Sequence, residues 1–133
     1  MSEIRYDLER RITPEQFADV LRDSGIRRPV DDLPRLAEML RHANLTVTAW
    51  RGDELVGVAR CLTDYSYCCY VSDLAVRTTL QRMGIGRALL DRVRESVGPR
   101  VMVHLFAAPA AAEYYGKVGF EKADNAWRVN RQV

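Results

Sequence analysis

Gln81, Arg82, Met83, Gly84, Ile85 and Gly86 carry the clearest chemistry in this 133-residue chain. An apolar, β-rich run over residues 67–76 leads into them through a short polar turn. Beyond them Ile85, Ala88, Leu89, Val93 and Val97 recur at helical spacing, while Arg87, Asp91, Arg92, Arg94 and Glu95 take the other positions. A strand, a glycine-containing loop and a helix together present unpaired backbone N–H groups to an anion. The macrodipole makes that helix end effectively positive. Gly84 and Gly86 have no side chains to hold an anion off, and Arg82 and Arg87 add full positive charge. The chemistry expected is the cradling of a pyrophosphate.

Two familiar phosphate loops do not fit. A P-loop needs Gly-x-x-x-x-Gly-Lys-Ser/Thr, and the Lys-Ser/Thr pair is absent. A dinucleotide fingerprint needs Gly-x-Gly-x-x-Gly, but Leu89 stands at the third glycine position. Gln/Arg-x-x-Gly-x-Gly/Ala after a strand ending Leu74, Ala75, Val76 resembles motif A of the GNAT superfamily of acyl-CoA-dependent N-acetyltransferases. Residues 81–86 match it position for position. A second segment agrees. Tyr114, Tyr115, Gly116, Lys117, Val118, Gly119 and Phe120 resemble GNAT motif B, an aromatic, a tyrosine, two variable residues, an apolar residue, then Gly-Phe. The resemblance covers roughly residues 45–128. One departure is Ala107, Ala108, Pro109, where many members carry a polar residue near the pantetheine arm.

The resemblance implies an α/β single-domain GNAT fold over residues 1–133. Its sheet is mixed, mostly antiparallel, six- or seven-stranded and splayed in the middle, with about four helices. It implies acetyl-CoA as co-substrate and no metal. The pantetheine arm would pair with Leu74, Ala75 and Val76. Gln81, Arg82, Met83, Gly84, Ile85, Gly86, Arg87 and Ala88 would hold the diphosphate. Tyr115 matches the tyrosine that protonates the departing thiolate in many members, its alternative being to pack the helix on the sheet. Tyr114, at the usual phenylalanine position, is expected in the core. Asp73 is the candidate group for drawing in or deprotonating an amine, against a role in capping backbone. A bulge would be needed to bring it together with Tyr70, because side chains alternate along a strand. The loop containing Arg28 is similar to that of plant plastid serotonin and arylalkylamine N-acetyltransferases. Arg28 is therefore a candidate acceptor contact, and Tyr65 and Tyr70, with Tyr67, are candidates for aromatic walls around a primary amine, their alternative being ordinary sheet residues.

The expected reaction is acetyl transfer to a small primary amine by direct attack. The alternatives are acetylation of a protein N-terminus or lysine, and a non-catalytic acyl-CoA-binding module. A net charge of +2 with dispersed arginines does not argue for nucleic acid. No run is apolar and long enough for a bilayer, and residues 1–7 read as polar rather than as a leader, so a cytoplasmic location is expected. A homodimer is left open. Cys61, Cys68 and Cys69 do not make a disulfide framework and read as buried thiols.

Periodicity and turn residues predict the elements that must position these groups. A strand is expected over residues 5–12, then a helix capped by Thr13 and opened by Pro14, then a helix over 32–42. Strands follow over 45–50, 55–62 and 67–76, the first two joined by the turn at Gly52 and Asp53. After the motif A helix come a strand over 101–106 and a helix over 110–117. Two short strands, 120–122 and 126–130, close the chain.

Overall fold

The computed structural model describes residues 3–133. One five-stranded sheet runs in the order β1 (Ile4–Asp7), β2 (Leu45–Arg51), β3 (Glu54–Thr63), β4 (Cys68–Val76), β5 (Met102–His104). The first four strands are antiparallel neighbours, and β5 joins β4 in parallel. Helices α1 (Pro14–Ser24) and α2 (Leu33–His42) cover one face, and α3 (Ile85–Val97) covers the other. Residues 109–111 form a single turn of 3₁₀ helix before α4 (Tyr114–Lys117).

Local chemistry explains the helices. Thr13 and Gln16 form a capping box at the start of α1, Pro14 occupies its first turn, and Gly25 ends it at φ 82°. Asp32 caps α2 through the Arg35 N–H. Phe17, Val20, Leu21 and Leu36 are fully buried against Val58 and Ala75 of the sheet. Each such burial contributes roughly 1.5–3 kcal/mol. Ile85, Leu89, Leu90 and Val93 do the same on the opposite face, against Val47, Ala59, Cys61 and Val71. Cys61 and Cys69 are buried thiols, in line with the sequence, and Cys68 is half-buried.

Two features of β4 matter for function. The register against β3 passes from Asp73 opposite Arg60 to Val71 opposite Cys61, so Ser72 is an extra residue, a β-bulge. The pairing with β5 covers only Cys68–Tyr70 against Met102–His104. Beyond Tyr70 the two strands part. Among the described residues the outer edge of β4 from residue 71 onward has no strand beside it, although its backbone groups still require partners.

Four expectations change. The sheet has five strands, not six or seven. Residues 120–122 and 126–130 are not strands, and 121–133 lie exposed. The reason is local. The Phe120 ring packs edge-on against Tyr115, its N–H bonds the Tyr115 carbonyl, and a three-residue β5 offers little ladder to extend. The first strand stops at Asp7 rather than continuing to residue 12, because the Asp7 carboxylate turns back to accept the Glu9 and Arg10 N–H groups. The helix expected over 110–117 is two short pieces.

Candidate active site

The glycine loop is built as an open anion cradle. Arg82 and Gly84 adopt left-handed conformations, φ 69° and 87°. A glycine meets that requirement at position 84 without steric cost. Gly84 is the N-cap of α3, and no side chain caps that end. The Ala88 N–H already donates to the Gly84 carbonyl, so the N–H groups of residues 84–87 are the ones without intrahelical partners. Ile85 is a core side chain and can contribute only its backbone. Arg82, Met83 and Arg87 are exposed around the turn. Gln81 instead braces the loop, since its amide donates to the Val76 carbonyl at 2.9 Å and ties the turn to the end of β4.

Beside this cradle lies a cavity of about 670 Å³ lined by Arg82, Pro109, Glu113, Tyr114 and Lys117. Tyr114, expected in the core, instead lines this cavity and is about one-third exposed. A Cβ on Gly86 would come within 2.8 Å of the Tyr114 hydroxyl. Gly86 thus clears space for that tyrosine as well as for an approaching anion. Tyr115 is the more buried of the pair, edge-on to Tyr114 and to Phe120. Burial pushes its phenol pKa above the usual value, Tyr114 adds to this, and the Arg28 guanidinium opposes it. Arg28 comes from the loop between α1 and α2, across the sheet from α3.

Asp73 departs from the role expected of it. The bulge at Ser72 does bring it to the same face as Tyr70, since Val71 and Leu74 both pack toward α3. Its carboxylate, however, is 1% exposed, with Arg28 Nε on one oxygen and Arg60 Nε on the other. The network continues outward. Arg28 donates to the Ser72 carbonyl at 2.7 Å, and Arg60 to Ser72 Oγ at 2.8 Å and the Met39 carbonyl at 3.2 Å. These contacts stitch α2, the α1–α2 loop and β3 to the bulge. A carboxylate sealed from solvent and held by two guanidinium groups is closed to an incoming ammonium. Arg28 is likewise anchored rather than presented.

Tyr65 also falls outside the cleft. It lies in the β3–β4 turn at φ 59° and donates its hydroxyl to the Asn44 carbonyl at 3.0 Å. Tyr70 stands where β4 and β5 part, stacked on His104 at 5.4 Å between ring centroids and edge-on to Phe106 at 5.9 Å. Leu74, Ala75 and Val76 lie on the free edge of β4, as expected. Sequence reasoning assigned Arg60 no role. Its signal was an arginine inside the apolar strand Val58, Ala59, Cys61, in a hairpin that carries an aspartate on its partner strand.

Residues 17–131 match the acetyltransferase (GNAT) domain family. The chain belongs to the GNAT acetyltransferase family. A GNAT family acetyltransferase from Streptococcus pneumoniae superimposes with a TM-score of 0.74 at 22% identity, covering 98% of this chain and 100% of that one. Aminoglycoside N-acetyltransferase AAC(6')-Iy, solved in complex with CoA, gives 0.73 at 14% identity, with 100% and 97% coverage. Both show that the GNAT fold is shared. In sequence, an uncharacterized ycf52-like N-acetyltransferase of Prochlorococcus marinus is 30% identical over 100 residues, 71% of this chain and 54% of its own length. A ycf52 N-acetyltransferase of Porphyra purpurea is 24% identical over 114 residues, 81% and 63% respectively. The chain therefore spans between half and two-thirds of these GNAT relatives. Among the described residues no helix is long and apolar enough to cross a membrane.

Proposed function

We propose that this GNAT domain transfers an acetyl group from acetyl-CoA to a small primary amine, with both substrates bound together. The observation that carries the reading is the junction of the free β4 edge with the uncapped start of α3. An extended amide-bearing arm ending in a diphosphate matches both halves, with strand-like pairing along residues 74–76 and N–H donors at 84–87. The residues present fit such a ligand, with Arg82 and Arg87 supplying countercharge.

The amine nitrogen attacks the thioester carbonyl, and the C–S bond breaks as the C–N bond forms. Alignment of the two substrates in one cleft supplies much of the rate. A backbone N–H of the β4 edge near Leu74 is the oxyanion donor in this reading. Tyr115 gives its proton to the leaving thiolate. Burial keeps the phenol protonated through neutral pH, the form a proton donor needs. Asp73 acts at one remove, by fixing the bulge that turns the β4 edge into the cleft. A panel of amines, free amino acids and peptides, assayed for acetyl-CoA-dependent thiol release, tests the proposal. Release with peptides alone would replace the small-amine acceptor by a protein, and the absence of release with every acceptor would leave acyl-CoA binding as the function.

A further inference from the structure

With Asp73 committed to Arg28 and Arg60, the cleft lacks its expected proton acceptor, and the place where β4 and β5 part contains another. His104 is the last residue of β5 and pairs in register with Tyr70, the last β4 residue bonded to that strand. Val103 and Leu105 pack into the α3-side core, so His104 and Phe106 alternate to the opposite face. Cys69 and Val71 pack toward α3 as well, and Tyr70 therefore shares the face of His104, stacked on its ring. This is the side of the sheet covered by α1 and α2, across from the cradle and Tyr115. A donor arm lying along residues 74–76 with its thioester toward the bulge would end near this apex. An acceptor entering from the α1–α2 side would meet Tyr70, His104 and the half-exposed Phe106 first.

The imidazole donates and accepts no hydrogen bond at Nδ1 among the described residues. Among the described residues, His104 Nδ1 is the side-chain polar atom that is both buried and without a hydrogen-bond partner. Leaving a buried polar atom unpaired costs about 1–3 kcal/mol, and native folds leave few such atoms without a partner. Tyr70 is the titratable group stacked on the ring. Arg128 stands beyond it, its guanidinium 5.6 Å from the Phe106 ring centroid. Imidazole is also the side chain whose ordinary titration range lies closest to neutrality, where a base for an ammonium is most effective.

We propose that His104 is the proton acceptor for the amine, held in place by Tyr70 and Phe106 at the apex of the splayed strands. The inference rests on the acetyltransferase reading. The ammonium gives one proton to His104, which passes it to solvent, and the neutral amine then forms the C–N bond. The nitrogen's second proton leaves after attack and balances the proton that Tyr115 delivers to the thiolate. The products are the amide, the free thiol and one released proton.

The test compares wild type, His104→Ala and His104→Asn with acetyl-CoA and the best amine of the panel. Turnover should fall by roughly 10²–10⁴-fold in both variants while the thermal shift with acetyl-CoA is retained. Asparagine keeps a polar atom near the Nδ1 position but cannot take a proton. Added imidazoles should restore turnover to His104→Ala, faster for the more basic members of a size-matched series. Wild-type turnover in His104→Ala, full turnover in His104→Asn, or rescue independent of basicity would overturn the role of His104 while leaving acetyl transfer standing. A wild-type protein inactive toward every acceptor would instead remove the reading on which the role depends.

Discussion

Replacing Asp73 by asparagine should damage the fold before it damages the chemistry. The carboxylate is fully buried and holds Arg28 and Arg60, one on each oxygen. The amide can accept from one guanidinium only, and its NH₂ group is turned toward the other. Hydrogen bonds to charged groups contribute about 1.5–3 kcal/mol each, and an uncompensated buried charge adds to the loss. Arg60 is sealed, whereas the Arg28 side chain is about one-quarter exposed and can turn partly to water, which limits the cost. The net loss expected is roughly 2–4 kcal/mol. With an unfolding entropy near about 2.1 cal/mol/K per residue, a chain of this length should lose roughly 7–14 °C in Tm. Calorimetry or thermal circular dichroism measures this directly. Removing Arg60 as well, in Arg60→Met with Asp73→Asn, should cost less than the sum of the single changes, because the two side chains share one interaction. An Asp73→Asn protein with wild-type Tm and a rate onset moved to higher pH would refute this account. Such a result would return Asp73 to the handling of the amine.

Acetyl-CoA at about 100 times its Kd should stabilise the domain by roughly 2.7 kcal/mol, a rise of roughly 10 °C in a thermal-shift assay. Gly86→Glu should abolish that rise by setting a carboxylate at the uncapped start of α3, and a retained rise would remove the diphosphate from this loop. Tyr115→Phe should cut turnover by roughly 10²–10⁴-fold with acetyl-CoA affinity unchanged, since it removes a proton donor and little packing. Loss of affinity together with turnover would make Tyr115 a packing residue. Asp64, whose carboxyl is held down at about 2 by the backbone N–H groups of Ser66, Tyr67 and Cys68, gives a stability test with a definite sign. Its folded pKa lies below the unfolded one, so its contribution is complete above roughly pH 4 and fades as pH falls through about 2. The Tm difference between wild type and Asp64→Asn should shrink over that window, and a difference that grew on acidification would contradict the turn geometry.

How much of this molecule is legible in its sequence depends on how far each feature reaches along the chain. The capped start of α1, the stop at Gly25 and the glycine loop into α3 are decided by neighbours within four or five residues. Spacing and residue type are enough for all of them. The splay is expected only through family resemblance, since nothing within residues 67–76 announces where β5 leaves β4. The C-terminal strands fail for a related reason. Residues 126–130 have strand-like alternation, but a strand exists only where another edge receives it, and β5 ends after three residues. The site shows the same division. Gly84 and Tyr115 lie in contiguous motifs and are legible. The fate of Asp73 is set by Arg60, thirteen positions upstream, and by Arg28, forty-five upstream, which meet it only after the hairpin and the helix pair have formed. Alternation alone would put Tyr70 and Asp73 on opposite faces. One inserted residue, Ser72, reverses that, and the same insertion lets two arginines claim the carboxylate. The bulge that re-aims the β4 edge is therefore also what brings Asp73 between Arg28 and Arg60, which is why the proposed base is His104 rather than the carboxylate singled out from the sequence.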